Sequence, residues 1–102
     1  MTTAPDLFSF DDVKHRVGET FVLRGRDGRE IAIVLTEAKS LGFNRPGGRE
    51  SFSLIFHAPA GSAISQGIHE FRHPSIGVHE LFLVPLGPDA AGLRLQTIFN
   101  FN

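Results

Sequence analysis

At 102 residues the chain has room for one core and not two, and its 41% apolar and 21% charged content excludes the composition of a disordered segment. Ten basic residues against eleven acidic ones leave a net charge near −1, a balance that attracts neither a phosphate backbone nor an anionic membrane, so no nucleic acid is expected as partner. The absence of cysteine removes disulfides, thiolate metal sites and cysteine nucleophiles together.

Met1 to Phe10 lack a basic stretch followed by an apolar one, and no apolar run approaches the roughly 20 residues of a spanning helix. A cytoplasmic protein without membrane insertion is expected, unless it is exported with an assembly. The aromatic set is ten Phe with no Tyr and no Trp. Phe has no polar handle, so these rings suit a dry core.

In chain order, Ser9 and Asp12 resemble a helix N-cap with an acidic first turn. Phe10, Val13 and Val17 then repeat at helical spacing before Gly18, which predicts a short helix over about residues 10–17. Lys14, His15 and Arg16 fall in its last turn, where positive charge complements the helix dipole. From Thr20 the period becomes two: Phe21 and Leu23 share one face, and Ile31, Ile33 and Leu35 share a face of a second strand. Asp27-Gly28 between these runs signals a hairpin through a type I′ turn.

Lys39 to Arg49 carries three Gly and one Pro and reads as a surface loop. Phe52, Leu54 and Phe56 then mark the apolar face of a third strand, with Ser51, Ser53, Ile55 and His57 on the other face, up to Pro59. A fourth strand covers about Gly67–Arg72, and a fifth about Val78–Val84 after His73-Pro74-Ser75-Ile76-Gly77. Leu81 to Val84 is apolar on both faces, as in a central strand, a strand beneath the helix, or one that meets a partner chain. The last strand, Leu93–Asn102, is expected to pair with early strands. No convincing internal repeat is visible, and residues 1–102 read as one domain: a mainly β fold, a small antiparallel barrel or sandwich of about six strands with one short N-terminal helix.

His69-Glu70-Phe71-Arg72-His73 matches the zinc-metalloprotease pattern H-E-x-x-H. That chemistry needs a helix, which brings the two imidazoles onto one face. Gly67 before the motif and Pro74 after it oppose a helix, and in a strand the two His lie about 13 Å apart. In that strand His69 and His73 share a face and His79 follows across a turn. A five-residue turn sets His73 opposite His79, where two imidazoles can approach one ion, whereas a four-residue turn sets it opposite Val78. Histidines flanking a turn at the surface are the plainer reading.

Gly42-Phe43-Asn44-Arg45-Pro46-Gly47-Gly48-Arg49 has the glycines of an anion cradle but lacks a Lys-Ser/Thr ending and opens no helix, so a flexible connection is expected. Ser51, Ser53 and His57 lack a nucleophile elbow and a nearby acidic orienter; two serines on the solvent side of a strand explain them. Arg16, Arg24, Arg26 and Arg29 are interleaved with Glu19, Asp27 and Glu30 and read as a mixed-charge surface.

Ser51-Phe52-Ser53-Leu54-Ile55-Phe56, Gln66-Gly67, His73-Pro74, Gly77, Leu81-Phe82-Leu83-Val84-Pro85 and Ile98-Phe99-Asn100 form a combination along most of the chain. It resembles a family of bacterial proteins of about 100 residues, the size of one domain, classed as a domain of unknown function. The chain departs from that pattern at His57-Ala58, where related sequences often place a Gly before the Pro. The resemblance implies a small accessory or structural role in a surface or phage-tail-like assembly, and it brings no established activity.

The leading expectation is a protein that is not an enzyme and takes no cofactor. It acts as a protein-interaction or structural module, as an accessory subunit of a larger bacterial assembly (phage-tail-like or fibre-associated) or as a homo-oligomer, with Leu81, Phe82, Leu83, Val84, Phe99 and Phe101 as candidate contact residues. A second reading is a β-barrel module that binds a small ligand at its mouth or a metal through His69, His73 or His79. A third, a hydrolase, rests on the H-E-x-x-H letters alone.

Overall fold

The computed structural model describes residues 9–25, 28–43, 46–47, 49–62 and 64–99. At its start, the Asp12 carboxylate accepts hydrogen bonds from the Ser9 amide at 2.8 Å and the Ser9 hydroxyl at 3.2 Å. These bonds fasten the first turn of α1, Phe10–Val13. The helix is one turn, shorter than the sequence predicts, for a visible reason. The Arg16 side chain donates through Nε to the Asp12 carbonyl at 2.8 Å, while the Arg16 amide turns to the Val13 carbonyl three residues back. Lys14, His15 and Arg16 therefore follow the helix instead of closing its last turn, and Lys14 pairs with Asp11 at 2.9 Å. The Gly18 amide then donates to the Leu35 carbonyl and ties this segment to the sheet.

Six strands follow: β1 Thr20–Arg24, β2 Glu30–Phe43, β3 Glu50–Ala58, β4 Gly67–His73, β5 Gly77–Asp89 and β6 Gly92–Phe99. The β1–β2 hairpin forms, but through a connection of more than two residues, in which the Gly25 amide donates to the Arg29 carbonyl and the Gly28 amide to the Gly25 carbonyl. Asp27, half of the predicted type I′ pair, lies outside the described residues.

The segment from Lys39 onward is not a loop until past Phe43. Its alternation fails because β2 carries two bulges, between Leu35 and Glu37 and between Ser40 and Gly42. Each extra residue reverses which side chains face inward, so a continuous strand imitates irregular sequence. β5 likewise continues past Val84 to Asp89, with a bulge between Pro85 and Gly87. β4 pairs with β5 only as far as Leu83, so Pro85 and Pro88 lie where β5 has β6 on one side alone, and a missing amide costs no ladder bond. β6 is described to Phe99; Asn100, Phe101 and Asn102 lie outside the described residues.

All pairings are antiparallel, and the order β1-β2-β3-β6-β5-β4 returns to β1 as a closed barrel. The ring is built of two meanders, β1-β2-β3 and β4-β5-β6, joined along a β3–β6 seam and a β1–β4 seam. The last strand thus pairs with β3, and β4 closes the ring on β1. The meanders share a detail that the sequence hides. Leu41-Gly42 bulges opposite Ser51, and Leu86-Gly87 bulges opposite Arg94, with φ of 87° and 105° at the two glycines.

The interior is filled by Phe21, Leu23, Ile33, Leu35, Phe52, Leu54, Phe56, Phe71, Leu81, Leu83, Leu95 and Phe99. Phe56 meets Phe21 at 5.3 Å and Phe71 at 5.2 Å between ring centres, and Phe52 stacks on Phe99 at 4.5 Å while touching Phe10 of α1 at 5.5 Å. The opposite face of β3 is covered as well: Ser51, Ser53 and Ile55 are buried, so the two serines are not on a solvent side. Ser53 stands in register between Lys39 and Ile98, and Ile55 between Glu37 and Gln96.

Candidate functional site

β4 carries the H-E-x-x-H letters as a strand, and pleating divides them between two faces. His69, Phe71 and His73 are buried, whereas Glu70 alternates onto the other side of the wall. The carboxylate that would activate water is thus separated from both imidazoles. The turn after His73 has three residues, 74–76, so His73 lies opposite Gly77 and His79 opposite Phe71. Neither of the two expected registers, His73 with His79 or with Val78, is formed. Among the described residues no three His, Asp or Glu gather in an arrangement able to hold a metal ion.

Each inward histidine has its own task. The His73 Nδ1 accepts the Ser75 amide at 3.0 Å, which places the proton on Nε2, and Nε2 donates to Glu19 at 2.8 Å. The ring also packs on Phe21 at 4.6 Å. This hydrogen bond is the main reason that the Glu19 carboxyl titrates below its ordinary range; Arg16, at 3.3 Å, acts in the same direction. Glu19 and His73 thereby clamp the segment after α1 to the end of β4. The His79 Nε2 donates to the Ile76 carbonyl at 3.0 Å across the turn.

His57 has an acidic partner that sequence proximity does not show. Asp89, 32 positions later at the end of β5, meets its Nε2 at 3.0 Å, and Thr36 of β2 meets its Nδ1 at 3.3 Å. The series Asp89–His57–Thr36 has the residue types of a nucleophilic triad. However, the Thr36 hydroxyl donates its proton to the Ile55 carbonyl at 3.1 Å, so His57 is not positioned to take it. The other Asp89 oxygen accepts the amides of Ala91 and Gly92. The arrangement braces the β5–β6 turn against β3 and β2.

Asp89 titrates below its usual value of 3.8, first because of the His57 hydrogen bond and next because of the Ala91 amide. A carboxyl with a folded pKa below its unfolded one stabilises the fold above the unfolded pKa and loses that contribution as pH falls through the folded one. The stability lost in Asp89→Asn is therefore expected at pH 7 in urea melts and should fade as pH falls below 3.8. A pH-independent loss would show that Asp89 acts by geometry alone.

At the barrel mouth beside the β1–β2 hairpin is a cavity of about 510 Å³. Its wall includes Leu23 and Ile31 from the strands, Ser62, Ile64 and Ser65 from the segment before β4, and His69. The His69 Nε2 donates to the Ser65 carbonyl at 2.8 Å, which leaves Nδ1 as a bare acceptor, and this buried atom has no hydrogen-bond partner.

The glycine-rich stretch divides between β2 and the β2–β3 connection, of which Asn44, Arg45 and Gly48 lie outside the described residues, and it opens no helix. Near the first hairpin Glu30 takes an ion pair from Arg72 at 2.9 Å, in keeping with a mixed-charge surface.

Of the candidate contact residues, Leu81, Leu83 and Phe99 are buried in the barrel interior and their side chains are closed to a partner. Val84 is half-buried, and Phe101 lies outside the described residues. Phe82 is 51% exposed and does not stand alone. Ile68, 61% exposed, is directly opposite it on β4. Ile98 of β6 is 55% exposed. Ile68 and Phe82 thus form an outward pair across β4 and β5, and Ile98 lies on β6 two residues past Gln96, the partner of Val84. Beside the pair Glu70 and Glu80 face each other across β4 and β5, and neither has an ion pair among the described residues. Ile68 was legible as an outward position by period two, but only the register shows that it faces Phe82.

Among the described residues no helix is long and apolar enough to cross a membrane. A family model described as a domain of unknown function (DUF6916) matches residues 8–99. No curated protein and no solved structure matches the chain.

Proposed function

The chain belongs to DUF6916, a family without an assigned activity, and from that premise we propose that it is a non-enzymatic interaction module whose partner seats on the outward residues Ile68, Phe82 and Ile98. That surface carries the reading. Three large apolar side chains, each more than half exposed, lie on the outer faces of the neighbouring strands β4, β5 and β6, where burial by a partner returns roughly 25 cal/mol per Å². Glu70 stands in register between Arg24 of β1 and Glu80 of β5, so Glu80 is the carboxylate that faces a like charge on β4, and it favours a partner that brings Lys or Arg beside its apolar contact. The lack of an acid, base and nucleophile in working geometry at His69–His73 and at His57 supports a non-enzymatic role.

The setting in which such a module fits is an accessory subunit of a larger bacterial assembly, of the phage-tail-like or fibre-associated kind, or a homo-oligomer. The test is light scattering on a sizing column of the protein isolated from its own cells. Wild type should elute in a species larger than the 11.2 kDa chain, and Phe82→Glu should elute as the free chain with an unchanged melting temperature. Wild type that elutes as a free 11.2 kDa chain from its own source overturns the proposal.

A further inference from the structure

We propose that the free edge of β2 from Glu37 to Phe43 is a strand-addition surface, and that its occupant is the same edge of a second copy of this chain. It lies apart from Ile68, Phe82 and Ile98 and does not depend on that reading. β2 changes partners half-way along. On the β1 side its last backbone bonds are the two at Leu35, with Gly18 and Glu19, whereas on the other side β3 accompanies it to Phe43. α1 packs from the interior, through Phe10 on Phe52 and the buried Val13, and gives this edge no backbone hydrogen bond. Past Leu35, therefore, no described strand pairs with this side of β2, and the large side chains Leu41 and Phe43 along it are exposed.

The other meander carries the same edge in a closed-off form. Aligned on their bulges, Leu41-Gly42 and Leu86-Gly87, the two long strands bring Ser40 level with Pro85 and Phe43 level with Pro88. A proline has no amide to give, so β5 has lost its free donors at both places, a common means by which sheets refuse a further strand. β2 keeps its amides at Ser40 and Phe43.

The charges along the edge choose the occupant. Glu37 and Lys39 are exposed, share a face of the regular stretch between the two bulges, and have no ion pair among the described residues. When two such edges meet antiparallel about a two-fold axis at Ala38, Glu37 of each copy falls opposite Lys39 of the other, and one register makes two ion pairs. The neighbouring two-fold registers that keep the faces, about Lys39 and about Glu37, set lysine against lysine and glutamate against glutamate.

The experiment is sedimentation of the purified chain between about 1 µM and 1 mM. Wild type should pass from the 11.2 kDa chain to a dimer across that range. Lys39→Glu should raise the dimer dissociation constant about tenfold, because both contacts become repulsive, and Glu37→Lys added to it should restore the dimer. Ser40→Pro, which copies the β5 arrangement onto β2, should abolish the dimer. It also removes the hydroxyl bond from Ser40 to Glu50, so if its melting curve shows an unfolded chain the charge exchange decides alone. A single 11.2 kDa species at every concentration, a dimer unmoved by Lys39→Glu, or a double variant that stays dissociated would each overturn the proposal. A dimer lost in Phe82→Glu but kept in Lys39→Glu would overturn it as well, while supporting the surface at Phe82.

Discussion

Gly92→Ala should cost about 4 kcal/mol of stability in urea unfolding, the sum of a strained backbone and a collision with a rigid neighbour. Gly92 opens β6 at φ 139°, and a Cβ placed there would lie 2.2 Å from the Ala58 carbonyl oxygen of β3. That oxygen belongs to the main chain at the end of β3, where Ala58 is held in register with Leu93 of β6. Gly87→Ala separates the two contributions. Gly87 has φ 105° with nothing within 4 Å of its added Cβ, so this change should lose only the strain, about 1–2 kcal/mol. Equal losses at the two positions would mean that the close approach of the β5–β6 turn to β3 is not maintained in solution.

Phe56→Ala is expected to be comparably severe, about 4 kcal/mol. The ring is fully buried on β3 and lies against Phe21 of β1 and Phe71 of β4. It therefore joins both meanders through the interior, and its removal leaves a cavity lined by two aromatic faces that cannot collapse without moving a seam. Phe56→Leu should recover most of the loss and stay within about 1.5 kcal/mol of wild type, because the volume is largely restored. The check is the same urea melt, with an unchanged slope. A loss below about 1 kcal/mol in Phe56→Ala would mean that the interior is open to water.

Much of the barrel was legible because local signals fix it. Phe21 and Leu23, Ile33 and Leu35, and Phe52, Leu54 and Phe56 alternate as half-buried strands must, and all of them face inward. His69 and His73 were readable as sharing a strand face for the same reason. What escaped depends on contacts distant in sequence. A bulge at Leu41-Gly42 is one residue in a pattern of two, and nothing local separates it from the start of a loop. The burial of Ser51 and Ser53 follows from neighbouring strands that the serines do not name. The length of α1 turns on one Arg16 side chain competing for the Asp12 carbonyl. At the candidate sites, the cavity around His69 and the partner of His57 appear only once β4 is placed beside β1 and the β5–β6 turn is brought to β3. The surface at Phe82 was half legible: Phe82 was expected at a surface, but its neighbours Leu81 and Leu83 were not distinguished from it as interior residues, because a four-residue apolar run carries no period.

The division into two meanders governs how the chain is made as well as how it is held. β1, β2 and β3 leave the ribosome before β4, which closes one seam, and before β6, which closes the other. During that interval Phe21, Phe52 and Phe56 share a half-built wall that α1 covers only in part, through Phe10 against Phe52. Both seams join strands far apart in sequence, so closure comes late and all at once, at a cost in loop entropy that is repaid only when the second meander arrives. A truncation within β6 should therefore leave an open, aggregation-prone half-shell in place of a smaller barrel.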